Sequence, residues 1–205
     1  MYRRLMFVLP ILLFAQAAQA RQVTIIQPLA LSAGQPVRIT GMDLDFAPDM
    51  LTELQESDAK AARKRANAGL PPLDPASYPT GPQDGALYAT MPFKQMFPLV
   101  IRDVTREWKL NDGTPIILRI TLDRLKTADA AMAMLAASSD MLEGTVNVVD
   151  AASAQALGSF RVEVRNGHSG WAQMIVRGGG VREKLAEEFG LELSRHISGR
   201  RKKPD

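Results

Sequence analysis

The chain has no cysteine among its 205 residues. Disulfides, thiol catalysis and cysteine-ligated zinc are therefore excluded, and so is a lipid anchor carried on a cysteine. Histidine is nearly as scarce, with only His168 and His196. No H-x-x-x-H spacing exists and no carboxylates are grouped near either ring, so a structural or solvent role is expected for both, with no metal site and no cofactor. The phosphate-binding frames G-x-x-x-x-G-K-S and G-x-G-x-x-G are missing, as is the G-x-S-x-G elbow of serine hydrolases. The one strongly apolar run, Leu5 to Phe14, is interrupted by Pro10 and is too short to span the ~30 Å of a bilayer core.

What is present at the amino end has a different meaning. Arg3 and Arg4, the apolar run and Ala18-Gln19-Ala20 form a secretory signal peptide, residues 1–20, with an A-x-A cleavage site. The expected address is the periplasm of a Gram-negative bacterium. The remaining 21–199 are long enough for a single domain with a real core. The net charge of +3 is misleading. Removing the leader leaves 23 basic and 22 acidic residues, and removing the basic tail 200–205 as well leaves 19 and 21. A nucleic-acid groove needs basic residues spread over a folded face, so nucleic acid is not an expected partner.

Along the domain, Val23 to Leu31 reads as extended and Val37 to Thr40 as a short strand. Pro48 suits the first turn of a helix running to about Ala66. Its apolar stripe is thin, which predicts a peripheral helix. Residues 69–85 carry five prolines and three glycines and are expected to be a long surface loop. Phe93, Met96, Phe97, Val100, Ile101, Val104 and Trp108 recur at helical spacing. Pro98 either kinks one long helix or opens a shorter one. The preferred reading is a helix over Pro98–Leu110 preceded by a looser turn, ended by Asn111-Asp112-Gly113.

The period then changes. Ile116, Leu118, Ile120 and Leu122 alternate with Arg119, Thr121 and Asp123, with Ile117 and Leu125 as exceptions, which predicts a half-buried strand. Asp129 to Ala137 is ambiguous between helix and strand and is read as a strand. Val146 and Val148, then Phe160, Val162 and Val164, mark two further strands joined by a turn at Asp150 to Gln155. Their wet side, with Arg119, Asp123, Arg161, Glu163 and Arg165, offers alternating charges and no nucleophile–base pair, so no catalytic residue is assigned.

The wording Gly144-x-Val146-x-Val148-x-Asp150-Ala151-x-Ser153, followed by Leu157-Gly158-x-Phe160, resembles a hairpin of small exported bacterial domains of unknown function. In them a glycine-rich loop and a terminal helix follow. The resemblance covers about Ile116 to Ser198. It implies an α+β exported domain and carries over no catalytic residue. The sequence departs from the pattern at Ala154, where glycine would allow a positive φ that costs alanine about 1–2 kcal/mol.

Val181, Leu185, Phe189, Leu193 and Ile197 form one stripe of a last helix. Before it lie Arg177, Gly178, Gly179 and Gly180. With Arg182 these five are the candidate anion-binding residues, through free N–H groups at the helix start. Two other readings stay open: a flexible entry to the helix, or a helix that already begins near Trp171 with glycines allowing close packing.

The expected fold is thus α+β, a mainly antiparallel sheet of about four or five strands covered on one face by helices. The expected function is that of a non-catalytic exported module with an envelope protein partner. Recognition of an anionic group at 177–182 is the alternative, and a hydrolase ranks third. The tail Arg200 to Lys203 would add weak contact with anionic membrane surfaces.

Overall fold

The structure, a computed structural model, describes residues 21–32, 34–73, 88–127, 140–166 and 180–205. Five strands form one sheet: β1 (Arg21–Gln27), β2 (Val37–Phe46), β3 (Thr114–Lys126), β4 (Asp140–Asp150) and β5 (Ala156–Asn166). Their spatial order is β1-β5-β4-β3-β2. Three of the four pairings are antiparallel, and β2 pairs with β3 in parallel. A short 3-10 turn (Pro48–Met50) leads into α1 (Leu51–Asn67), and α2 (Phe93–Glu107) and α3 (Val181–Ser198) complete the described elements. This is the α+β arrangement expected. The proposed strand at 129–137 and most of the proline-rich loop lie outside the described residues.

Register explains the apolar pattern. Ile120 faces Val146, Val146 faces Phe160, and Phe160 faces Ile25, giving one continuous apolar row across four strands. Leu118, Val148, Phe160 and Val162 are fully buried. Leu125 breaks the alternation of β3 in sequence, yet it is buried. A register shift between Leu122 and Arg124 inserts one residue and returns Leu125 to the core face. At Gly158, φ is +155° and an added Cβ would lie 2.8 Å from the backbone of Leu29. The Leu-Gly pair of the hairpin motif therefore lets the chain after β1 cross close over β5, where the Ala30 N–H donates to the Leu157 carbonyl at 2.6 Å. The hairpin is an architectural staple.

Two helices roof the apolar face. α2 buries Phe93, Met96, Phe97, Val100, Ile101 and Val104, and Trp108 follows at its end. α3 buries Leu185, Phe189, Leu193 and Ile197. Phe97 and Phe189 meet edge to face with centroids 5.4 Å apart, a geometry the ring quadrupole favours. α1 is peripheral, burying only Ser57 and Ala61. The helix expected from Pro98 starts earlier, at Phe93, with Pro98 inside it. The missing N–H of Pro98 falls near the start, so a single carbonyl, that of Lys94, loses its usual donor. The Phe93 N–H is meanwhile capped from α1 by the Asp58 carboxylate at 2.7 Å. That cap is non-local, and nothing in the sequence around Phe93 announces it.

Candidate functional site

Of the five candidate anion-binding residues, Arg177, Gly178 and Gly179 lie outside the described residues. Gly180 is the N-cap of α3, with φ +91°. Arg182 turns inward. Its Nη1 donates to Asp58 Oδ1 at 2.9 Å and to Ser57 Oγ at 3.2 Å, and its Nη2 donates to the Met91 carbonyl at 2.7 Å. Burial pulls the guanidinium pKa down, and the neighbouring Asp58 pulls it back up. Asp58 accepts from both Phe93 and Arg182, so one carboxylate joins α1 to the beginnings of α2 and α3. The Glu183 carboxylate also sits beside Gly180, 2.5 Å from where a Cβ would stand.

The polar sheet face is internally neutralised. Arg161 reaches Glu143 at 2.9 Å and Asp123 at 3.6 Å, Arg119 reaches Asp43 at 3.5 Å, and Arg165 pairs with Glu163. His196 packs against Phe160 with ring centroids 4.3 Å apart, and burial holds its pKa below the ordinary 6.5. His168 is outside the described residues. Among the described residues no group of His, Asp and Glu could hold a metal ion, and no helix is long and apolar enough to cross a membrane.

Among the described residues the sheet order leaves β1 and β2 as edges. They are protected differently. β2 carries Arg38, Asp43 and Asp45 and a bulge between Ile39 and Gly41, all devices that discourage edge-to-edge pairing. β1 has a single charge, Arg21, which is tied to Glu188 and lies 3.7 Å from Glu192. Burial raises the pKa of Glu188, and Arg21 counteracts it. Beyond Val23 the roof ends. Ile25 and Ile26 are 57% and 59% exposed, on two faces of a strand whose register shifts between Ile25 and Gln27.

Beside β1 runs a groove of about 450 Å³, lined by Val23, Glu192, Arg195, His196, Gly199, Arg200 and Arg201. A smaller, mainly apolar groove of about 310 Å³ separates β2 from α2, lined by Ile39, Met42, Pro98, Leu99 and Arg102 among others. A third, of about 460 Å³, includes Gln35, Trp108, Asn111, Ser198 and Arg200. The tail turns back rather than trailing away, with Lys203 3.1 Å from Glu107 and Lys109 donating to the Asp205 carbonyl. Sequence reasoning missed the β1 edge because the exposure of Ile25 depends on where α3 stops, and that of Ile26 on the place of β1 at the end of the sheet order. The signal available was the pair Ile25-Ile26 in a segment with one charge.

No protein-family model matches the chain, and no curated protein matches it. Several solved structures are similar to parts of it. Protein XCC0632 from Xanthomonas campestris, described under DUF330, is 13% identical and covers 84% of this chain and 91% of its own, with a TM-score of 0.46. The PelC dodecamer from Paraburkholderia phytofirmans is 11% identical, covering 83% and 98%, with a TM-score of 0.28. A putative lipoprotein from Caulobacter crescentus is 14% identical, covering 58% and 84%, at 0.31.

Proposed function

We propose that the protein is an exported, non-catalytic interaction module of the bacterial envelope that engages a protein partner through β1. The observation that carries this is that β1 is an edge of the sheet among the described residues, with Ile25 and Ile26 both more than half exposed. An unpaired strand edge offers main-chain donors and acceptors, and exposed aliphatic side chains beside it favour burial by a partner. The leader at residues 1–20 supports the address. The test is a photo-reactive side chain placed at Ile26 in living cells, with Arg119 on the polar sheet face as control. Specific adducts at 26 and none at 119 are expected. Adducts at neither position, in cells where the processed protein is exported, would sink the reading.

A second reading keeps an anionic ligand at 177–182. Gly180 favours it, since its left-handed backbone opens the turn into α3. Against it stand Arg182, whose guanidinium is occupied by Asp58 and Met91, and Glu183, which already brings negative charge to that helix start. Titration of the mature protein with inorganic phosphate, followed by amide shifts of residues 177–182, decides it.

A further inference from the structure

The groove beside β1 specifies the partner more narrowly. We infer that what adds to β1 is an extended acidic polypeptide segment, its backbone paired with the free strand edge and its acidic side chains in the groove at the carboxyl end of α3. This rests on the reading of β1 as an interaction edge.

The edge has a suitable length. From Gln22 to Gln27 six residues at about 3.3 Å each give roughly 20 Å of strand with no second neighbour strand among the described residues, enough for an added strand of ordinary size. Side chains of an added strand alternate between the two sheet faces. Those on the helix side enter the groove, where Val23 and the His196 ring form part of the lining. Arg195, Arg200 and Arg201 supply positive charge there, against one carboxylate, Glu192. That carboxylate already accepts from Arg195 at 2.6 Å and faces Arg21 at 3.7 Å. The guanidinium groups of Arg200 and Arg201 have no hydrogen bond or ion pair among the described residues, and both residues are exposed. The helix end contributes only about half a negative charge, which leaves the groove basic.

Charge also argues against a second copy as occupant. β1 reads RQVTIIQ, with no acid. Pairing two such edges would bring Arg21 of one copy toward the arginines of the other and supply no counter-charge. An acidic strand gains the same backbone bonds and satisfies the groove. Strand addition of this kind draws affinity from the main chain and selectivity from side chains in alternating pockets.

The test uses residues 21–205 and three labelled twelve-residue peptides: one alternating glutamate with valine and threonine, its lysine counterpart, and the glutamate peptide interrupted by prolines. Fluorescence anisotropy reads affinity, and hydrogen exchange reads amides 21–27. The glutamate peptide is expected to bind at least about ten-fold tighter than the lysine one and to slow exchange in 21–27. The double variant Arg200→Glu, Arg201→Glu, in exposed positions that leave the fold alone, is expected to reverse the preference. Four outcomes overturn the inference: equal binding of the proline-interrupted peptide, no added protection of β1, protection only with vesicles containing anionic lipid, or a dimer by sedimentation whose β1 amides are already protected. Cross-linking at Ile26 to a partner with no acidic segment at the adduct would remove this inference and leave the interaction edge standing.

Discussion

At Ala154 the backbone sits at φ +59°, a region where a Cβ crowds the following carbonyl. The hairpin pattern that carries glycine here fits that geometry, and the sequence identified the position without revealing the angle. Ala154→Gly is expected to stabilise the protein by about 1 kcal/mol, the relief being partly offset by the greater freedom of glycine in the unfolded chain. Urea unfolding measures it. One turn earlier, Asp150 Oδ1 accepts from the N–H groups of Ala152 and Ser153 and from the Ser153 hydroxyl. The backbone bond from Ser153 is the first cause of its lowered pKa. A depressed carboxylate stabilises the fold above the unfolded value of 3.8 and loses that contribution as pH falls through the folded value. Asp150→Asn should therefore be less stable than the parent at pH 7, with the gap closing in acid. Arg182 shows the limit of reading residues singly. Its sequence neighbours suggest a ligand, and its partners lie 124 and 91 positions away. Arg182→Met leaves the Met91 carbonyl and Asp58 short of donors and should cost about 3 kcal/mol. An unchanged urea midpoint would show that the junction does not hold the helices together.

The periodic elements were legible because burial on one face writes a period into the sequence. The stripe from Val181 to Ile197 predicted α3 within its observed ends, and the alternation in Ile116–Leu122 predicted β3. What could not be read was set by contacts between elements. The Asp58 cap that lets α2 begin at Phe93 comes from another helix, and the β2–β3 parallel pairing follows from the crossover through α1 and α2. Gly190 is of the same kind. In sequence it looks like a weak point in a helix, but an added Cβ would stand 3.2 Å from both Ile101 and Val104 of α2. Gly190→Val is expected to destabilise by about 2 kcal/mol through overpacking, despite the poor helix propensity of glycine, and the same unfolding measurement reads it. His196 belongs to the packing of α3 on β5. Its lowered pKa means that the unfolded ring takes up a proton at a higher pH than the folded one. Its contribution is complete above about 6.5 and declines as pH falls from there through the folded value. His196→Gln should flatten this part of the loss in stability between pH 7 and 5. Glu188 acts in the opposite sense, since its carboxyl is pushed up, so the comparison is made between parent and variant at each pH.

Across the whole molecule, the strands nearest the amino end depend on chain that comes much later. Ile25 pairs with Phe160, 135 positions on, and Val37 pairs with Thr114. Such distant pairings make the search for the native arrangement slow, in the range of milliseconds to seconds, and stopped-flow refolding of residues 21–205 should show it. On the export route proposed above the amino end would lead, so β1 would emerge first, find its neighbour last, and hold its isoleucines bare in a crowded compartment until then. Survival then depends on the speed of delivery and on whatever escorts the nascent chain, more than on the equilibrium strength of the finished fold.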